Sequence, residues 1–138
     1  MSQTAIFWPM IAQTALIFVI YLLCSVRRVD AVRSGATRAG DYKLPFVEPV
    51  PSATAIRNLA NQFELPVLFY VVCLSLYVLN GATFVALLLA WAFVISRALH
   101  AAVHVTSNDL RLRRPLFIVG FVIIVLLWIW LAIWLLRL

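Results

Sequence analysis

The strongest constraint on this chain is a stretch of 22 residues, from 115 to 136, that contains no charged side chain. About 20 consecutive apolar residues in a helix cross the roughly 30 Å hydrocarbon core of a bilayer. The whole chain is also strongly apolar, since 65% of its 138 residues are hydrophobic and 12% are charged. A soluble domain is about 45–50% apolar and about 25% charged, and a small one cannot bury this much apolar surface. The composition therefore predicts an integral membrane protein with a single domain.

Four stretches are long and apolar enough to cross the membrane. The predicted spans are approximately residues 5–26, 52–79, 82–105 and 115–136. The second reaches full length only if it begins near Ser52, whose hydroxyl is expected to cap it, and a kink is expected at Pro66. Asn80-Gly81 is typical of a tight turn, and Pro115 suits the first turn of the fourth helix. The predicted fold class is all-α, a four-helix membrane bundle.

The basic residues are concentrated on one side of the predicted membrane. Ten of the eleven Lys and Arg residues lie in the stretches 27–57 and 97–114, and only Arg137 lies on the opposite side. The positive-inside rule makes the first side cytoplasmic, together with the long loop of residues 28–51, so both termini point to the opposite side. Because these residues flank spans and belong to no nucleic-acid recognition fold, we expect lipid or a small anion as partner rather than nucleic acid.

Two polar patterns interrupt the second and third spans. They are Arg57-x-x-x-Asn61-x-x-Glu64 and Arg97-x-x-His100-x-x-x-His104. Spacings of three and four residues place each set on one helix face. An ionisable side chain near the middle of a span costs roughly 2.5–3.5 kcal/mol by insertion scales, so such residues are expected to face the bundle interior and to mark a site. Glu64 is accordingly expected to be buried.

Each pattern also has a simpler interpretation. Arg57, Glu64 and Arg97 could pair only to hold the helices together, and Arg111, Arg113 and Arg114 could be ordinary cytoplasmic anchors. The pair His100 and His104 could bind a metal, but only Glu64 accompanies it within the spans, so no metal site is predicted. Cys24 and Cys73 are interpreted as packing residues.

Taken together, the two patterns, Pro66 and Arg113 resemble the MAPEG superfamily, the membrane-associated proteins of eicosanoid and glutathione metabolism. The resemblance extends over nearly the whole chain and is closest to the members similar to microsomal glutathione transferases. It implies a homotrimer with sites between neighbouring subunits, and glutathione bound at the cytoplasmic face as co-substrate.

The resemblance also implies a role for each residue of the patterns. Glutathione would be held by Arg57, Asn61, Glu64, Arg97, His100, His104 and, by a looser match, Arg28. Arg113 would stabilise the glutathione thiolate, because its spacing is similar to that in the microsomal glutathione transferases. Arg111 is the competing candidate, because the spacing in the leukotriene C synthase branch would select it. The thiolate would attack a lipophilic electrophile that arrives from the bilayer, as in a transferase or a peroxidase.

Three positions depart from the family pattern. His104 stands where tyrosine is usual, Arg114 where the prostaglandin-forming branch carries serine, and Phe117 where some members have tyrosine. The second departure argues against prostaglandin isomerase chemistry. A non-catalytic lipid-binding or scaffold protein of the same fold is the alternative function, and a bundle in which the ions only fix helix register is a third.

Overall fold

The computed structural model describes residues 2–43 and 48–137, and every regular element in them is helical. The helices are α1 (Phe7–Arg33), α2 (Val50–Asn61), α3 (Leu65–Val78), α4 (Phe84–Val105) and α5 (Leu110–Leu135). Short 3-10 turns occupy Gln3–Ile6 and Ala39–Lys43. Four helical stretches, Gln3–Arg33, Val50–Val78, Phe84–Val105 and Leu110–Leu135, are long and apolar enough to cross a membrane. The predicted all-α bundle of four spans is confirmed, while residues 44–47 of the long loop lie outside the described residues.

The second span consists of two helices, α2 and α3, rather than one kinked helix. Pro66 lacks the amide hydrogen that would bond to the carbonyl of Gln62, and its ring collides with that carbonyl in a continuous helix. The backbone therefore breaks over residues 62–64, with Glu64 at φ −97° and ψ −99°. The expectation that Ser52 caps this span was wrong: α2 begins at Val50 after Pro49, and the Ser52 hydroxyl donates back to the Pro49 carbonyl.

The fourth span begins five residues earlier than the position of Pro115 indicated. The Asp109 carboxylate accepts a hydrogen bond from the Arg111 amide at 2.9 Å and caps α5, which therefore starts at Leu110. Pro115 lies inside this helix instead of at its first turn. As a consequence, helix α5 carries three arginines in its first turns, Arg111, Arg113 and Arg114, and fixes the positions of their backbones.

The larger of two apolar core clusters lies in the half of the bundle away from the long loop. Phe69 of α3 stacks on Phe93 of α4 with their ring centroids 4.6 Å apart. Small residues on α4, among them Ala86 and Ala90, are fully buried and let neighbouring helices approach closely. This packing fixes α3, α4 and α5 relative to one another below the break at residues 62–64.

Candidate functional site

A polar cavity of about 1000 Å³ lies between the break in the second span and the first turns of α5. Its volume is at the upper end of the range of small-molecule binding sites, about 300–1,000 Å³. The walls combine charged groups at one end with apolar side chains at the other. The lining residues are Asn61, Glu64, His100, Leu110, Arg111, Arg113, Arg114, Pro115, Phe117, Ile118 and Val119.

The charges that line the polar cavity are mostly positive. The charged lining residues are three arginines, Arg111, Arg113 and Arg114, and one carboxylate, that of Glu64. Arg113 is half-buried, and its Nη1 donates a 2.6 Å hydrogen bond to Oδ1 of Asn108. This arrangement favours an anionic ligand that also carries an amine or amide for Glu64 to accept from.

Arg97 lies in the protein interior beside the polar cavity. Its side chain is 1% exposed, and its Nη2 donates to the main-chain carbonyl of Asn61 at 3.0 Å. That carbonyl has no helical partner because the helix breaks after Asn61, and the hydrogen bond from Arg97 takes the place of the missing one. Nε and Nη1 of Arg97 have no acceptor among residues 2–43 and 48–137. A buried guanidinium with unused donors is a strong binding group for a carboxylate.

His100 and His104 extend the polar region along α4. Each is 2% exposed, and their rings meet edge to face with centroids 5.6 Å apart. Nδ1 of His104 lies 3.5 Å from Nδ2 of Asn61, while Nδ1 of His100 and Nε2 of His104 have no partner in the described part of the chain. The same residues contain no group of three or more His, Cys, Asp or Glu arranged to hold a metal ion.

The structure brings together most, but not all, of the residues predicted to form the site. Asn61, Glu64, His100, Arg111 and Arg113 line the polar cavity, and Arg97 and His104 contact Asn61 from behind. The expectation that Glu64 is buried was wrong, because this side chain follows the end of α2 at the open cavity and is exposed on a single subunit. Arg57 is also exposed and does not line the cavity within one subunit.

Arg28 lies in a different place, at the loop end of α1. Its guanidinium donates to both carboxylate oxygens of Glu48, at 2.9 and 2.6 Å, and lies 5.3 Å from the centre of the Tyr42 ring. The hydrogen bonds from Arg28 lower the pKa of Glu48, against the opposing effect of partial burial. Within one subunit Arg28 is therefore occupied by a carboxylate of the loop.

Several structural polar residues were missed by the sequence analysis. Nε2 of Gln13 donates to Oε1 of Gln62 at 3.0 Å, Nε2 of Gln62 donates to Oδ1 of Asn58 at 2.9 Å, and Nδ2 of Asn58 donates to the Ala101 carbonyl at 3.3 Å. We call Gln13, Gln62 and Asn58 the amide chain. The four-residue spacing of Asn58 and Gln62 within a span was the available signal.

Arg27 is a fourth structural residue that was not predicted from the sequence. Its Nη1 donates to the Thr54 hydroxyl at 2.7 Å, and its Nη2 donates to the carbonyl of Val105 at the end of α4. It thereby ties α1 to α2 and α4 at the loop side of the bundle. Because Arg27 directly follows an apolar span, its sequence position looked like that of an ordinary membrane anchor.

Fold and site together define an integral, multi-pass membrane protein that carries a cationic cavity between its helices. Residues 5–133 match the family model described as MAPEG family. The chain therefore belongs to the MAPEG family, whose members act in glutathione and eicosanoid metabolism, as the sequence patterns predicted. Comparison with curated proteins found no match, and comparison with solved structures found none either.

Proposed function

We propose that this protein is a membrane-embedded, glutathione-dependent transferase, and that it can also reduce peroxides. The observation that carries the proposal is the polar cavity, in which three arginines and one glutamate converge in a chain of the MAPEG family. Glutathione matches these groups, since it carries two carboxylates, an ammonium, two amides and a thiol. The active face and the long loop are cytoplasmic in this proposal, because ten of eleven basic residues lie there.

Binding would use the charges and hydrogen-bonding groups around the break. Glu64 accepts from the glutathione ammonium, and Arg97 offers its free donors to a carboxylate in a forked geometry. Asn61, His100 and His104 supply further polar contacts. Arg57 and Arg28 complete the site only if it lies between subunits of a homotrimer, since neither lines the polar cavity of one subunit.

The reaction would begin with release of the thiol proton to water at the open end of the cavity. A free thiol has a pKa of about 8.5, and a nearby guanidinium in a site with little water favours the thiolate. We assign this role to Arg113, because it is half-buried and fixed by Asn108, whereas Arg111 is exposed. The thiolate sulfur then bonds to the electrophilic carbon of the second substrate as the leaving group departs with its bonding electrons.

The second substrate would reach the cavity from the bilayer. Ile118 and Val119 line the cavity and are 49% and 48% exposed, so one wall continues into the lipid-facing surface of α5. A lipophilic electrophile can therefore approach the thiolate without crossing water. The same apolar wall also suits a non-catalytic lipid-binding protein, which is the alternative function.

Conjugation of glutathione to a chromogenic aryl halide by the purified protein tests the proposal. We expect turnover in the wild type, a loss of kcat of about 100-fold or more in Arg113→Ala, and a much smaller loss in Arg111→Ala. The reverse ranking of the two variants would move the thiolate role to Arg111. Binding of lipid by a wild-type protein that neither binds glutathione nor turns over would support the non-catalytic alternative.

A further inference from the structure

The amide chain is the most completely buried polar feature outside the polar cavity. Gln13 and Asn58 are 0% exposed and Gln62 is 1% exposed, although all three lie in or between membrane-spanning helices. The chain runs from α1 through the break to α4, because Gln13 lies in α1, Gln62 in the break, and the Ala101 carbonyl in α4. It therefore connects three of the four spans at the depth of the site.

Contacts from two directions hold the break and the end of α2 at Asn61. On one side, the Gln62 side chain is fixed between Gln13 and Asn58. On the other side, the carbonyl of the preceding residue, Asn61, accepts from Arg97. The amides of Gln62 and Phe63 donate to the carbonyls of Leu59 and Ala60 in turn-type bonds, but the regular α-helical pattern is interrupted at Pro66. An interrupted helix has more accessible conformations than a continuous one, so the side-chain contacts help to select the one in which Asn61 and Glu64 line the polar cavity.

The apolar surroundings of the amide chain favour a single conformation of the break. An amide that loses its partner in hydrocarbon cannot bond to water instead, so each amide of the chain has to keep its partner. Apolar residues of similar size would fill the same space without fixing the rotation of the break. We propose that Gln62 is a positioning residue, which binds no ligand itself and holds Asn61 and Glu64 in the orientation that binds glutathione.

The inference rests on the proposed function, and its test compares glutathione affinity in three proteins. In Gln62→Met, which keeps the volume and removes both hydrogen bonds, we expect the Kd for glutathione to rise about tenfold, as when supporting contacts of a ligand site are removed. Saturating kcat should stay within about twofold, because Arg113 is carried by α5 and not by the break. The matched control is Tyr70→Phe, which removes the 2.8 Å hydrogen bond between Tyr70 and Thr14, another contact between the first and second spans.

A merely structural role for Gln62 predicts a different result. It would lower the unfolding temperature in Gln62→Met and in Tyr70→Phe and leave the Kd unchanged in both, which would overturn the inference. A double-mutant cycle adds a second criterion: in an Asn61→Ala background, Gln62→Met should raise the Kd by less than about threefold. Equal effects of Gln62→Met in both backgrounds would show that it does not act through Asn61.

Measurements of glutathione affinity also decide three further outcomes. If Gln62→Met does not fold, Asn58→Leu removes the acceptor for Gln62, and the inference then requires a Kd increase in this variant and is overturned without one. If the wild type itself does not bind glutathione, the proposed function fails and the inference fails with it. If the wild type and Gln62→Met bind glutathione equally well, the inference is overturned and the proposed function stands.

Discussion

Arg97 illustrates at the scale of one residue how this protein tolerates charge within its spans. A guanidinium has five donor hydrogens, yet in the described residues only the Asn61 carbonyl accepts from Arg97. Two buried imidazoles with unpaired nitrogens lie on the same helix. Buried polar groups without a hydrogen-bond partner in the protein are typical of binding sites, because their donors and acceptors are available to a ligand.

Glu48 allows a prediction of pH dependence outside the spans. Its pKa lies below the ordinary value of 4.5 because Arg28 donates to its carboxylate. A group whose pKa is lowered in the folded state stabilises the fold above its unfolded pKa, and this contribution is lost as the pH falls through the folded value. We therefore expect acidification from pH 7 to pH 3 to destabilise the wild type more than Glu48→Gln.

The expected difference is small, since Arg28 is 40% and Glu48 16% exposed, and solvent screens the pair. At neutral pH it should be below about 1 kcal/mol in the free energy of unfolding. Thermal unfolding of both proteins in detergent across this pH range measures it. Parallel pH profiles for wild type and Glu48→Gln would show that the ion pair contributes nothing.

At the scale of elements, the turn between α3 and α4 depends on one glycine. A Cβ atom added at Gly81 would lie 2.8 Å from ring atoms of Trp134, whose Nε1 donates to the Leu79 carbonyl at 3.1 Å. Gly81→Ala must therefore displace α5 or break this hydrogen bond. We expect a loss of about 1–3 kcal/mol in the free energy of unfolding, as for overpacked cores.

Gly40→Ala is the matched control for this substitution, because a Cβ atom at Gly40 meets nothing within 4 Å. Its unfolding temperature should equal that of the wild type. Equal unfolding temperatures for Gly81→Ala and the wild type would mean that the contact between the turn and Trp134 is not rigid.

The number of spans follows from sequence, whereas the geometry of the second span does not. Hydrocarbon selects long apolar helices whatever their neighbours are, so residues such as 115–136 are sufficient to predict a span. Pro66 predicted a disturbance, but the complete break also depends on Arg97 and Gln13, which come from other parts of the chain. Arg97 donates to the Asn61 carbonyl, and Gln13 donates to the side chain of Gln62.

The candidate site was predictable to a similar extent. The spacings placed Asn61 and Glu64 on one face of the second span and His100 on one face of the third, and the structure places all three at one cavity. The exposure of Glu64 was not predictable, because it depends on the direction in which the broken backbone turns. Arg113 could not be distinguished from Arg111 by sequence, since their difference in burial follows from where α5 begins.

At the scale of the whole molecule, the outer surface remains strongly apolar. Large side chains of α1 and α5, including Phe18, Leu22 and Phe121, are half or more exposed on a single subunit. Lipid or neighbouring subunits must cover this surface. The homotrimer that we propose would cover part of it and would bring Arg57 and Arg28 toward the cavity of an adjacent subunit.

Native mass spectrometry tests this assembly. We expect a detergent-solubilised particle of three 15.6 kDa chains, and cross-linked trimers in membranes before extraction. A monomer or dimer by both methods would contradict the assembly and would exclude Arg28 and Arg57 from the glutathione site.

The central claim is that Arg113 stabilises a glutathione thiolate in the polar cavity. Titration of the purified protein with glutathione near neutral pH, followed by ultraviolet absorbance of the thiolate, tests it most directly. We predict that the wild type shows a saturable thiolate absorbance at a pH well below the ordinary thiol pKa of about 8.5. Under conditions in which both variants still bind glutathione, this absorbance should be retained in Arg111→Ala and lost in Arg113→Ala. Bound glutathione without any thiolate signal in the wild type, or with an undiminished signal in Arg113→Ala, would contradict the claim.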